Sequence, residues 1–225
     1  STHCISSAAS DVYKRQAYEQ PLNIVDERDF WTYATRREPG HPPRSAHDYL
    51  NMKFMHGYTD AAQKLSAGDA FATIYVEDQE RDILNWLTVP RAEGSTEPPT
   101  LYLINLGMTS MNAPLDVRVY DSVGLATPLS ARMPREENGR IGHDKSLGLE
   151  WQAAQTGSDV EYLPPWFDKE QVRTARAALQ TEDFKELRDS YSAPLTWERF
   201  VDNLKFSLTK GRTLTFDSDP AHYVG

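Results

Sequence analysis

TLYLINLGMTSMNAPLDVRVYD, residues 100–121, is the stretch whose reading decides the fold. Its two ends, residues 101–106 and 115–120, are the most strand-like runs in the chain, dense in branched and aromatic side chains that suit a pleated surface. The residues between them are too many for a tight hairpin and few for a crossover helix. The pair is therefore either antiparallel with a broad loop, or two strands that are not neighbours. Val117 and Val119 alternate with Asp116, Arg118 and Tyr120, which predicts a second strand with one dry face.

Working outward, AFATIYV at 70–76 predicts a further strand, and residues 78–87 a short helix with Ile83, Leu84 and Leu87 turned inward. Ser45 opens a long predicted helix through Leu65, whose buried stripe is Leu50, Phe54, Tyr58, Ala61 and Leu65. His47 shares that stripe, and His56 pairs with Asp60 on the far side, about half a turn away, so the two histidines cannot hold one metal. A helix is expected from Asp26, capped there and stapled by Val25 and Phe30, to about Arg37. PRAEGSTEPP at 90–99 is the best linker in the chain, and reads as a long loop or a weak domain boundary. Downstream, 125–132, 160–163 and 212–217 are candidate edge strands, and residues 134–148 a polar, glycine-punctuated loop. The last third is helical. Asp168 caps one helix, with Phe167 and Val172 as its staple; Thr181 opens a second, with Phe184 and Leu187 inward. A third follows Thr196, with Leu195 and Phe200 as staple and a predicted buried stripe of Trp197, Phe200, Val201, Leu204 and Leu208. The fold class expected is α/β or α+β, a central mixed sheet flanked by helices.

Residues 6–16, SSAASDVYKRQ, back-translate codon for codon to the adapter of transposon-based sequencing libraries, and the five residues before them fit the flow-cell oligonucleotide. Residues 1–16 are thus expected to be translated adapter and disordered, with residues 17–225 a single globular domain, itself a fragment of a longer reading frame. The one cysteine, Cys4, falls in the adapter, which removes disulfides, thiolate nucleophiles and cysteine-based metal sites from the natural part. The chain carries 24 Lys+Arg against 33 Asp+Glu, a net charge of −9, with the arginines scattered, so nucleic acid is excluded as partner. No apolar run approaches the ~18 residues of a membrane span, and a soluble, cytoplasmic protein is expected unless a signal has been lost upstream.

Three motifs carry candidate chemistry. GRIGHDKS, residues 139–146, has phosphate-loop spacing, but Asp144 stands where the last glycine must let backbone amides close around phosphate. Asp144-Lys145-Ser146-Leu147-Gly148 has the form of a nucleophile elbow lacking its first glycine, with His143 as base and Asp144 or Asp121 to orient it. His143 and Asp144 are also the first pair to test for metal-assisted chemistry, although no metal-ligand spacing accompanies them. Finally, LGLEWQAAQTGSDV and YLPPWF, followed by helices ending TWERF, resemble the C-terminal part of the nucleotide-sugar half of GT-B glycosyltransferases over residues 146–204. That resemblance implies a sugar-transferring enzyme, with the family's acidic donor-site pair out of register.

The reading that follows is an enzyme acting on a small polar or sugar-like substrate, with no cofactor identified. Its site lies at the loop ends of the sheet, formed by residues 108–112 and 139–146. There His143 serves as acid/base, Asp144 as its partner or a metal ligand, and Ser146 or Lys145 as substrate contact, with Asn112 and His143 on one side. A non-catalytic assembly module, of viral origin, is the alternative, with Trp166-Phe167 and Pro42-Pro43 as contact surface. A fragment of a GT-B-like glycosyltransferase is the third.

Overall fold

A computed structural model describes residues 27–78, 80–81, 83–140 and 143–224; the adapter, the Asp26 cap, the Val25 staple and Gly142 lie outside the described residues. Its centre is a four-stranded mixed sheet in the order β2-β1-β3-β4, built from β1 (Phe71–Asp78), β2 (Ile83–Val89), β3 (Thr100–Leu103) and β4 (Arg118–Asp121). Strands near 70–76, 100–106 and 115–120 are thus present. β1 and β2 form an antiparallel pair, whereas β1–β3 and β3–β4 are parallel. Neither expected arrangement of 101–106 and 115–120, antiparallel or not neighbours, is found, since the two strands are adjacent and parallel. The connection over residues 104–117 is long enough for a parallel return, which takes about a dozen residues. It is pinned midway, where Asn112 Nδ2 donates to the Ala46 carbonyl at 2.7 Å.

The expected helix at 78–87 is the second correction. Leu84, Trp86, Leu87 and Val89 satisfy a helical spacing and a strand alternation alike, and pairing with β1, in unbroken register from Phe71↔Val89 to Val76↔Leu84, selects the strand. With β2 in place, both faces of the sheet are covered. Ala72, Ile74, Leu101 and Leu103 face one cluster with Met52, Met55 and Tyr58, while Phe71 and Tyr102 face another with Trp151, Val172 and Phe184. The period of two splits each strand between the two cores. The expectation of one dry face on β4 fails accordingly, since Val119 packs on the first cluster and Tyr120 on the second.

Helix α1 (Arg28–Ala34) precedes a broken segment. The long helix expected from Ser45 is two 3-10 turns, Ala46–Asn51 and Lys53–Met55, then α2 (Tyr58–Ala67). Met52 is extended at ψ 149 and Gly57 sits at φ +84, a left-handed backbone that glycine adopts without steric cost. The break costs little burial, because Tyr58, Ala61 and Leu65 remain buried and Leu50 and Phe54 pack beside them. His47 and His56 are both exposed, and Asp60 pairs with Lys64 at 2.9 Å rather than with His56.

The other layer is helical: α3 (Leu149–Ala154), α4 (Lys169–Ala178), α5 (Glu182–Ser192) and α6 (Trp197–Leu208). The Asp168 and Thr196 caps accept from Gln171 N and Arg199 N at 3.0 and 3.1 Å. The three candidate edge strands do not form. Residues 125–132 are loop and a 3-10 turn, 160–163 hold a 3-10 turn, and 212–217 contribute one ladder-like bond, Phe216 N to Arg132 O. The polar loop at 134–148 is instead a small antiparallel hairpin of β5 (Arg135–Arg140) and β6 (His143–Lys145), separate from the main sheet. Residues 90–99 are tied to the end of α3 by the Arg91–Ser158 bridge and by Ala92 N donating to Gly157 O at 2.9 Å. Phe167 is buried, which takes it out of the proposed contact surface, while Trp166 stays exposed. Among the described residues no helix is long and apolar enough to cross a membrane.

Candidate functional site

Strand β4 is a sheet edge, and its outward flank borders a cleft of about 610 Å³ that α4, α5 and the segment after α3 close from the other side. Arg118 forms the floor. Its guanidinium donates to Thr100 Oγ1 at 3.0 Å, to the Glu97 carboxylate at 3.2 Å and to the Gln155 carbonyl at 3.0 Å. It also lies 4.8 Å above the Tyr120 ring. One side chain thereby joins the sheet edge, the 90–99 loop and the end of α3. Gln155 is held from below as well, since its side-chain oxygen accepts from Tyr102 at 2.5 Å. Burial pushes the Tyr102 phenol well above the usual tyrosine range, so it acts as a hydrogen-bond donor throughout the working pH.

The opposite wall carries Arg176, Arg188 and Tyr191. Arg176 caps the chain turn after α3 by donating to the Ser158 carbonyl and hydroxyl, and burial draws its pKa down. Tyr191 is 40% exposed, and its hydroxyl hydrogen-bonds with Tyr120. Burial first, and Tyr120 second, raise its pKa, so it too stays protonated. Among the described residues the Arg188 carbonyl accepts from Ser192 Oγ at 2.7 Å, while its guanidinium is left to face the cleft. Three guanidiniums thus face a cleft whose one acidic lining residue among the described residues is Glu97, in a chain of net charge −9. Amide, guanidinium and phenol donors around half-exposed aromatic rings suit a polar, hydroxyl-rich ligand.

The residues singled out in the sequence lie elsewhere. His143 and Asp144 belong to β6, with His143 exposed and Asp144 paired to Arg135 at 3.5 Å across the hairpin. Lys145 Nζ donates to the Ala131 carbonyl, and Ser146 follows on the way to buried Leu147. None of His143, Asp144, Lys145 and Ser146 lines the cleft, and neither do residues 108–112, where Asn112 is spent on backbone carbonyls. Asp121 is not available to orient His143. It is fully buried, and its carboxylate accepts from the backbone N–H groups of Val123, Leu125, Ala126 and Thr127 at 2.8–3.1 Å. Among the described residues no group of three or more His, Cys, Asp or Glu side chains converges as a metal site would require.

The AftB family C-terminal domain matches residues 51–225. The chain belongs to this family. Two relatives bear the name terminal beta-(1->2)-arabinofuranosyltransferase. That of Corynebacterium glutamicum is 43% identical over 206 residues, which is 88% of this chain and 30% of the relative. That of Mycobacterium tuberculosis is 34% identical over 194 residues, 82% of this chain and again 30% of the relative. The chain therefore spans about 30% of the length of the curated relatives it matches. No solved structure matches it.

Membership in the AftB family agrees with the glycosyltransferase side of the resemblance seen in residues 146–204. The polar cleft of this chain is lined by residues the sequence motifs passed over. Arg118 was legible as a charged position on an alternating strand, but Tyr120, which packs on the second core cluster as well as lining the cleft, was not. Arg176, Arg188 and Tyr191 carry no local signal, because only the packing of α4 and α5 against β4 gathers them.

Proposed function

We propose that this chain is the glycan-recognising C-terminal part of an arabinofuranosyltransferase, and that the β4–α5 cleft holds the acceptor sugar chain. Family membership supports the enzyme class, and the names of the relatives supply the linkage: transfer of an arabinofuranosyl group to a sugar 2-hydroxyl. The observation that carries the reading is the cleft itself, with Arg118, Gln155, Arg188 and the Tyr120–Tyr191 pair converging on one space. Sugar hydroxyls accept from guanidinium and amide donors, and apolar sugar faces lie against aromatic rings. Glu97, the sole acid of the lining among the described residues, is already engaged by Arg118, so the cleft binds and orients rather than supplies a general base. The His/Asp/Ser hairpin chemistry expected from the sequence is a weaker candidate, because Asp144 is engaged by Arg135 and Lys145 by the Ala131 carbonyl, on a small sheet away from the cleft.

The test is a titration of the chain with short arabinofuranosyl oligosaccharides, read by NMR shifts or calorimetry. Binding is expected, and Arg188→Ala should weaken it about 5- to 10-fold, the worth of one or two exposed hydrogen bonds, with the melting temperature unchanged. Binding that survives Arg188→Ala and Tyr191→Ala together, or no binding at millimolar sugar, removes the cleft from the proposal.

A further inference from the structure

Helix α6 presents its apolar stripe to solvent. Trp197, Leu204 and Leu208 are 79, 51 and 65% exposed, Phe200 is 48% exposed, and Leu195 just ahead of the helix is 77% exposed. The spacing 197, 200, 204, 208 is that of a face made to be buried, yet the helix is seated chiefly through Phe206 on another side. Asn203 assists by donating to the Ser190 carbonyl at 2.9 Å. Trp197 and Phe200 stack on one another in the open, with ring centroids 5.5 Å apart. An unbroken apolar surface of the order of several hundred Å² on one helix marks a contact site rather than ordinary exposure.

We propose that this stripe is where the domain docks on the preceding part of its own full-length polypeptide. Three observations select that occupant. The matched family region is a C-terminal domain, and the part of this chain aligned with each relative accounts for only 30% of that relative, so a polypeptide mass about twice the aligned length is tethered to it in those proteins. A tethered neighbour meets the stripe at high effective concentration and needs no separate association step. A bilayer is disfavoured by charge. The polar side of α6 carries Glu198 and Asp202 against Arg199 and Lys205, a balanced set in an acidic chain, whereas helices that lie on anionic lipid are rich in Lys and Arg. The inference rests on family membership and the exposed stripe, and holds whatever the cleft binds.

The experiment uses the full-length polypeptide that carries this chain, obtained by extending its gene upstream. Leu204→benzoylphenylalanine is introduced as a photo-cross-linker, with Glu93→benzoylphenylalanine as a control on a remote exposed loop. After irradiation of a mixture of isotope-labelled and unlabelled protein, peptide mass spectrometry is expected to show links from position 204 to peptides upstream of Glu27 within one molecule, absent from the control. As a second readout, Trp197→Lys with Leu204→Lys is expected to leave the melting of the 225-residue chain unchanged while exposing the junction in the full-length protein to protease. Links between labelled and unlabelled copies, links to lipid, no links from position 204, or a reading frame that does not extend upstream would each overturn the proposal. Loss of sugar binding with the cross-links intact would strike the acceptor reading alone.

Discussion

Replacing Asp121 with alanine tests whether the end of β4 is built around a buried carboxylate. The side chain is 0% exposed and accepts four backbone hydrogen bonds: Val123 N at 3.1, Leu125 N at 2.8, Ala126 N at 3.0 and Thr127 N at 2.8 Å. Each bond to a charged acceptor is worth about 1.5–3 kcal/mol, so simple addition would suggest roughly 6–12 kcal/mol. That sum overshoots, because Leu125 and Ala126 lie at the surface and water can take over their N–H groups. What cannot be recovered is the N–H of buried Thr127, whereas the bond from the backbone N–H of residue 121 to Thr127 Oγ1 at 2.7 Å survives the substitution. A cost of about 3–5 kcal/mol is therefore expected for Asp121→Ala. Asp121→Asn keeps one oxygen for two of the amides and turns an NH2 toward the other two, and should fall near half that cost. Urea unfolding followed by far-ultraviolet circular dichroism measures both. A loss below about 1 kcal/mol for Asp121→Ala at unchanged denaturant slope would refute the account.

Three further outcomes follow from single contacts. Gly124 sits at φ +80, and an added Cβ would lie 2.7 Å from the Ala131 backbone, so Gly124→Ala should cost about 3 kcal/mol or more. Gly94→Ala, at φ +75 with open space around it, should cost only about 1 kcal/mol, and equal melting shifts for the two would contradict the packing. Phe206→Ala should destabilise by about 3–5 kcal/mol, whereas Leu208→Ala should stay within about 0.5 kcal/mol, the reverse of what the helical stripe alone suggests. Asp48 accepts from Arg44 N and Ser45 N, which with Ser45 Oγ and Arg37 hold its pKa below 3.8 against a smaller opposing effect of burial. A depressed pKa stabilises the fold above the ordinary carboxylate range and is lost as pH falls through the lowered value. The melting-temperature gap between wild type and Asp48→Asn should accordingly be widest near neutrality and close below pH 3.8; a gap constant from pH 7 to 2 would count against it.

Where local chemistry decides the outcome, the elements were legible. Asp168 and Thr196 cap because their side chains reach amides three residues on, and no distant residue enters that geometry. The strand near 70–76 and the two in 100–121 were legible because alternation survives whichever neighbour pairs with them. Residues 83–89 were not, since Leu84, Trp86 and Leu87 fit both periods and only β1 breaks the tie. The long helix at 45–65 failed at Gly57, where a positive φ brings Tyr58 against Trp86 at 5.6 Å, a contact formed only once β2 exists. The cleft was not legible for a related reason. A motif search weighs residues close in the chain, such as His143, Asp144 and Ser146, whereas the cleft assembles Arg118, Gln155 and Arg188 from three separate segments.

The exposed stripe on α6 and the cleft meet through α5. Tyr191 and Arg188 belong to the helix that Asn203 of α6 grips at Ser190, and Lys210, just past α6, bridges Asp183 and Glu186 on that same helix. A load on α6 is thus transmitted to the wall of the cleft by a hydrogen bond near one end of α5 and two ion pairs near the other. The ion pairs are partly exposed and individually weak, so the Asn203 contact and Phe206 set the registration. If the stripe docks on the preceding polypeptide, docking and sugar binding are coupled, and the coupling is reciprocal. Asn203→Ala in the full-length protein should then reduce the change in sugar affinity caused by Trp197→Lys with Leu204→Lys, while leaving affinity in the 225-residue chain nearly unaltered. Equal effects of the stripe substitutions with and without Asn203 would show that α6 and the cleft act independently.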